Sequence, residues 1–109
     1  MIYSDVKEAI NDATIKELNH ANNKFPLFGS THGGCAIILE ELEETVEEFQ
    51  EADECYNELW DAVKRNDVRS ATDWAGALER TLERLLHEAN QARAMCRKFE
   101  MSFNKGEEK

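Results

Sequence analysis

The sequence has few residues that interrupt helices and few aromatic side chains. One proline and five glycines in 109 residues leave few places for a sharp turn. Aromatic residues make up 8% of the chain, so we expect a core of aliphatic side chains. No apolar run approaches the roughly 20 residues that a membrane-spanning helix needs, so no membrane partner is expected. The length predicts one small domain over residues 1–109.

Basic residues are also scarce, because 13 Lys and Arg stand against 23 Asp and Glu, for a net charge of −10. Nucleic-acid binding needs cationic side chains that neutralise phosphates, so this balance argues against nucleic-acid partners. It also argues against anionic membrane surfaces. A protein this acidic that handles a phosphate compound needs a bridging divalent cation.

The first residues, MIYSDVKEAINDA, lack a basic segment followed by an apolar run, so we expect no secretory leader. The three cysteines form an odd set without metal-type spacing, and each falls within an apolar pattern. They are predicted to be reduced core thiols of a cytoplasmic protein. The cysteines are Cys35, Cys55 and Cys96.

The pattern of apolar residues predicts three helices and no strand. The expected segments are an N-terminal helix over 1–23, a loop over 24–34, an acidic helix over 35–65, a C-terminal helix over 70–103 and a frayed tail over 104–109. Asn66 is expected to end the acidic helix, and Ser70 or Thr72 to cap the next one.

Two long helices with a short connection predict an all-α fold built on an antiparallel hairpin, with the shorter N-terminal helix beside it. One apolar row of the acidic helix steps by threes and fours from Leu39 to Val63. Its members are Leu39, Leu42, Val46, Phe49, Ala52, Tyr56, Leu59 and Val63. One shorter helix is too small to cover two helices of this length. We therefore expect a homodimer or higher homo-oligomer that completes a four-helix-type bundle.

Six of the nine residues from Glu40 to Glu48 are glutamate, and they form either a solvated face or part of a metal site. Glu41, Glu44 and Glu48 lie opposite the Leu39–Val63 row, which favours the solvated face. They continue, however, a second row that is apolar at both ends. Acids within a covered row repel one another and lose hydration unless a cation pairs with them.

With the hairpin turn centred near Val68, Glu88 and Gln91 of the C-terminal helix lie level with Glu41 and Glu44. Carboxylate and amide oxygens spaced i, i+3 on two neighbouring helices suit a hard cation such as Mg²⁺, with Mn²⁺ as a substitute. A rival pair, Glu58 and Asp61, lies about 21 Å further along the acidic helix. Glu58 and Asp61 could share an ion with Glu41 and Glu44 only if the two pairs meet across an oligomer, or if the acidic helix is broken between them.

At these residues the sequence resembles the MazG-like all-α nucleoside triphosphate pyrophosphohydrolase superfamily, above all its small phage and bacterial proteins. The pattern E-E-x-x-E falls on Glu40, Glu41 and Glu44. The segment HGGCAIILEE resembles H-E-G-Y-A-V-I-x-E-E, and EANQARAMCRKF resembles E-A-I-Q-V-A-A-M-A-x-R-F. ELWDAVKRND is similar to the middle region of these proteins, so the likeness spans most of residues 24–100.

The resemblance implies that an E-x-x-E pair and an E-x-x-D pair bind Mg²⁺, which positions a water that cleaves between the α and β phosphates of a nucleotide. Glu41 and Glu44 match the first pair, and Glu88 begins the second. Gln91 stands where the family has Asp, which removes one charge, and Gly33 stands where relatives have Glu. A loss of charge weakens Mg²⁺ binding and water activation.

The sequence therefore predicts a Mg²⁺-dependent nucleotide pyrophosphohydrolase, without assigning a catalytic base. The alternative is a non-catalytic helical module for nucleotide binding or assembly. His32, Glu48 and Arg84 are further candidates for substrate contact. The glycine-rich GSTHGG can bind phosphate through backbone N–H groups, but it lacks P-loop spacing and is expected to be a tight turn and helix cap.

Overall fold

The computed structural model describes residues 3–24 and 27–104, which form three α-helices and contain no strand. These are α1 (Ser4–Lys24), α2 (Thr31–Lys64) and α3 (Val68–Phe103). The all-α prediction is confirmed for this part of the chain. Of the predicted frayed tail, residues 105–109 lie outside the described residues.

None of the helices in residues 3–24 and 27–104 combines the length and the apolar composition needed to cross a bilayer.

Helix α2 begins four residues earlier than predicted, because Ser30 caps it. The Ser30 hydroxyl accepts a hydrogen bond from the Gly33 N–H at 3.0 Å. The Ser30 carbonyl accepts one from the Gly34 N–H at 3.0 Å. These bonds satisfy N–H groups of the first turn and offset the low helix propensity of the two glycines. The helix cap predicted in GSTHGG is confirmed at Ser30, but the predicted tight turn is wrong for residues 31–34, which belong to α2.

The turn between α2 and α3 is short because Asp67 both completes the end of α2 and caps the start of α3. Asn66 has φ 58°, and the Asp67 N–H donates to the Ala62 carbonyl at 2.9 Å, which ends α2 in a Schellman motif. Asp67 then caps α3 by accepting the Ser70 N–H at 3.1 Å. The prediction of Asn66 as terminator is confirmed. The prediction of Ser70 or Thr72 as cap is wrong, and α3 starts at Val68 because the cap precedes it.

The chain forms two compact units, and the second comprises Glu43–Glu88. It contains the end of α2, the turn and the start of α3, which run antiparallel. Cys55 Sγ lies 3.9 Å from Thr81 Oγ1, and Arg84 bonds to Glu48 further from the turn. The buried side chains here are small, namely Ala52, Ala62 and Thr81, and small side chains allow close packing of helices.

The first unit comprises Met1–Leu42 and Ala89–Lys109, and within it α1 packs on α3. Thr14 is fully buried, and its hydroxyl lies 2.8 Å from the Asn90 side-chain oxygen. Arg93 donates to Thr14 at 3.1 Å and to Asn11 at 2.7 Å. These bonds satisfy polar groups that burial would otherwise leave unpaired.

Most of the Leu39–Val63 row is exposed, but Ala52 within it is buried and Leu59 is half-buried. These two residues lie on the better covered side of α2, together with Glu41, Glu48 and Cys55. The cysteine prediction is also wrong for two of the three thiols. Cys35 and Cys96 are exposed and Cys55 is half-buried. An apolar pattern identifies a helix side that could be buried. Whether it is buried depends on whether another part of the chain packs against it.

Candidate functional site

Three glutamate side chains come together at the predicted metal site. Glu41 and Glu44 lie one turn apart on α2, which is unbroken between Thr31 and Lys64, and Glu88 lies on α3. One carboxylate oxygen from each lies within 4.8 Å of the other two. Ligand oxygens on opposite sides of an octahedral Mg²⁺ are about 4.2 Å apart, so this spacing suits a hard divalent cation after a small adjustment.

The burial of these carboxylates differs. Glu41 and Glu88 are half-buried, and Glu44 is exposed. Carboxylates this close repel one another, and partial burial weakens the hydration that offsets the repulsion. A cation would remove the repulsion, so the donor set fits Mg²⁺ or Mn²⁺. Three carboxylates can neutralise a divalent ion and leave net negative charge.

Within residues 3–24 and 27–104, Glu41, Glu44 and Glu88 are the sole group of three or more His, Cys, Asp or Glu at this spacing. The rival acids join no such group. Asp61 instead pairs with Lys64, with Nζ 3.1 Å from Oδ1. Helix α2 also has no break, which was one of the two conditions under which the rival pair could share the ion.

A cavity of about 520 Å³ lies in the first unit, and Glu41 lines it. The other charged residues that line it are acidic (Glu17) and basic (Lys24 and Lys98), and most of the rest are apolar. Gln91, the fourth predicted ligand, faces the same cavity. The remaining lining residues are Glu17, His20, Ala21, Lys24, Phe28, Ile37, Met95 and Lys98. A space of this size with apolar walls and a few polar groups is typical of small-molecule sites.

Lys98 is the most buried of the charged cavity residues that the sequence analysis did not predict. Only 3% of its surface is exposed, and its ammonium lies 5.1 Å from the Phe28 ring centroid. Burial lowers the pKa of Lys98, because a charged ammonium loses hydration there. A signal for it exists in the sequence, since Gln91, Met95 and Lys98 follow helical spacing on one side of α3.

Glu48 and Arg84, both predicted to contact substrate, are paired with each other. Arg84 Nε lies 3.1 Å from a Glu48 carboxylate oxygen, and Arg84 also reaches Glu51 at 3.2 Å. The hydrogen bonds to Glu48 and Glu51 raise the pKa of the Arg84 guanidinium. In this structure the pair crosslinks α2 and α3. His32, the third candidate, is exposed in the first turn of α2.

No family model, curated protein or solved structure matches the chain. The MazG-like resemblance therefore stays a prediction drawn from the quoted motifs.

Proposed function

We propose that the chain is a Mg²⁺-dependent nucleotide pyrophosphohydrolase, which cleaves a nucleoside triphosphate or a related nucleotide to a monophosphate and pyrophosphate. The observation that carries the proposal is the cluster of three carboxylates, one of which, Glu41, also lines the cavity with the buried Lys98. Carboxylates that can hold a metal ion, and a lysine ammonium beside an apolar wall, suit a substrate that has phosphates and a planar base.

Each group has a distinct role in this proposal. Glu41, Glu44 and Glu88 hold the metal, and Gln91 adds a neutral oxygen at the edge of the site. A bound divalent cation supplies positive charge for phosphate oxygens and lowers the pKa of a coordinated water. Lys98 attracts a phosphate oxygen, and Phe28 provides an aromatic wall for the base. Hydrolysis adds one water across the α–β bridge, so one product keeps the bridging oxygen and the other gains the water oxygen.

The second candidate is a non-catalytic helical module that binds a nucleotide or assembles with other proteins. Gln91 favours it, because an amide in place of a fourth acid holds a divalent ion less tightly. In either case we propose a cytoplasmic protein, consistent with three free thiols, that acts as a homo-oligomer with a four-helix-type bundle.

Pyrophosphate release from a panel of nucleoside triphosphates, with Mg²⁺ or Mn²⁺, tests the proposal. Wild type should release pyrophosphate, and Glu44→Gln should reduce the rate by about a hundredfold or more, because it removes a metal ligand. Glu47→Gln is the matched control, since it makes the same change on the exposed surface of α2 and should keep full activity.

Two further readouts separate metal binding, substrate binding and catalysis. Mg²⁺ should raise the melting temperature of wild type by mass action and leave that of Glu44→Gln unchanged. Lys98→Met keeps the length of the side chain and should raise KM by roughly tenfold, because a charged hydrogen bond is lost. Nucleotide binding without hydrolysis would support the non-catalytic module. No release from any nucleotide, together with no metal-dependent shift, would refute the metal site.

A further inference from the structure

Two arginines of α3 converge on one neutral oxygen of α1 within the first unit. Arg93 donates from Nη2 to the side-chain oxygen of Asn11 at 2.7 Å, and Arg97 donates from Nη2 to the same oxygen at 3.3 Å. These two nitrogens are therefore separated by at most the combined length of the two bonds, about 6 Å. Two guanidinium charges this close repel each other, and an amide oxygen carries no full charge that offsets the repulsion.

No carboxylate completes this arrangement in the part of the chain that the structure describes, since neither Arg93 nor Arg97 forms an ion pair there. The reason is not a shortage of acids, because 23 Asp and Glu stand against 13 Lys and Arg. Glu8 lies one turn from Asn11 on α1, and Glu100 lies one turn from Arg97 on α3, but both are exposed. The pair of arginines therefore has room for an anion from outside the chain.

A buried hydrogen-bond network holds Arg93 in place. Arg93 also donates from Nη1 to the hydroxyl of Thr14 at 3.1 Å, and Thr14 is fully buried. The Thr14 hydroxyl lies 2.8 Å from the side-chain oxygen of Asn90, whose amide nitrogen donates to the Ala13 carbonyl at 3.2 Å. Because these bonds fix the guanidinium before any ligand arrives, binding costs little side-chain entropy.

Most N–H groups of the two guanidiniums remain available to a ligand. A guanidinium carries five N–H donors. Arg93 uses two of them, on Asn11 and Thr14, and Arg97 uses one, on Asn11. Arg93 is exposed and Arg97 is half-buried, so a ligand at the edge of the contact between α1 and α3 can reach the remaining donors.

We propose that Arg93 and Arg97 bind a phosphate group at the contact between α1 and α3. A carboxylate has two oxygens, and the fork of one guanidinium occupies both of them. A phosphate group has three or more accessible oxygens and up to two negative charges, so it engages both forks and neutralises both cations. A dianion also competes better than a carboxylate against the exposed Glu8 and Glu100.

This site is separate from the cavity that Glu41 lines. Arg93 lies roughly 160° around α3 from Gln91 and from Met95, which both face the cavity. The net charge of −10 does not exclude an anion here, because exposed charges more than about 8 Å apart are largely screened at physiological ionic strength. The inference concerns a second anion site and does not depend on enzymatic activity.

Titration of the metal-free protein with inorganic phosphate tests the site, in EDTA and at an ionic strength held constant with sodium chloride. NMR of the arginine side chains follows binding, and the Nε–H signals of Arg93 and Arg97 should shift and saturate. Arg97→Gln should weaken binding by about tenfold, because it removes hydrogen bonds from a charged donor. Arg97 makes one hydrogen bond to the chain, so the variant should keep its helicity by circular dichroism. Arg80→Gln is the matched control, since it makes the same change at an exposed position of α3 and should leave binding unchanged.

Further arms separate this site from the cavity and identify the source of the phosphate. The shifts at Arg93 and Arg97 should persist in Lys98→Met, which removes the ammonium from the cavity. A nucleoside monophosphate that binds more tightly than inorganic phosphate would identify a small phosphate ester as the ligand, and a phosphoserine peptide that does so would identify a phosphorylated protein. The inference is overturned by the absence of a saturable shift, by equal shifts with acetate, or by unchanged binding in Arg97→Gln.

Discussion

Asp67 shows how much one side chain contributes to this fold. It ends the Schellman motif of α2 through its N–H and caps α3 through its carboxylate. Its second carboxylate oxygen accepts the Ser70 hydroxyl at 2.8 Å. The hydrogen bonds from the Ser70 N–H and hydroxyl hold the pKa of Asp67 below its ordinary value of 3.8.

The lowered pKa of Asp67 makes its cap pH-dependent. A carboxylate whose pKa is lower in the folded state stabilises the fold above its unfolded pKa, and the stabilisation disappears as pH falls through the folded value. Asp67→Ala should therefore lower the urea midpoint at pH 7, and the difference from wild type should shrink below pH 3.8. Asp73→Ala, on the exposed surface of α3, is the control. A difference that stays constant down to pH 2 would contradict this role.

Single residues also set the limit of what the sequence predicts. The i, i+3 spacing and the position of the turn were enough to predict that Glu41, Glu44 and Glu88 lie together. The position of Lys98 in the cavity was not predicted, because burial of a lysine depends on which loop packs over it, and here Phe28 does so. The pairing of Glu48 with Arg84 was also not predicted. It depends on the register of α2 against α3, and a shift of one helical turn changes which residue lies beside Glu48.

Among the helices, α2 depends on a glycine that allows close packing at its first turn. A Cβ on Gly34 would lie 2.8 Å from Phe99 and 2.9 Å from Phe28, both carbon atoms of ring edges. These rings belong to an aromatic group in which Phe99 also packs on Phe103, with centroids 4.8 Å apart. The glycine therefore permits contact between the start of α2, the loop before it and the end of α3 within the first unit.

Two glycine substitutions should have opposite effects. Gly34→Ala should destabilise the protein by about 1–3 kcal/mol, because the added methyl group overpacks against the rings of Phe28 and Phe99. Gly76→Ala should stabilise it by up to about 1 kcal/mol, because alanine has the higher helix propensity. The atom closest to a Cβ on Gly76 is a movable guanidinium nitrogen of Arg80 at 3.5 Å. Urea denaturation measures both changes, and equal shifts in one direction would contradict the packing role.

The helices were easier to predict than their ends. Apolar periodicity located α2 and α3 because both are long and uninterrupted. The start of α2 was missed because two adjacent glycines are typical of a loop, whereas Ser30 supplies the bonds that let them begin a helix. The apolar pattern also did not predict which side of α2 is covered. The exposed members of the Leu39–Val63 row are more apolar than the covered side of α2, yet the covered side is the one that meets small side chains such as Thr81.

Across the whole molecule, charge is distributed unevenly. Eleven acids and one lysine lie on α2, whereas α3 has six basic and five acidic residues. Crosslinks from α3 cations to α2 acids, such as Arg84 to Glu48 and Glu51, lower the repulsion along α2 within the second unit. Exposed ion pairs of this kind contribute little individually, so they offset only a small part of this repulsion.

The short turn at Asn66 and Asp67 also has a consequence for the order of folding. The second unit is one continuous segment whose contacts are close in sequence, whereas the first joins residues 3–42 to residues 89–104 and must close a long loop. Local contacts form sooner, so we expect Ala62→Gly, beside the turn, to slow folding. Thr14→Ala, in the contact between α1 and α3, should mainly accelerate unfolding. Stopped-flow chevrons with the two effects reversed would contradict this order. A hairpin that forms first would bring Glu44 and Glu88 together before α1 docks.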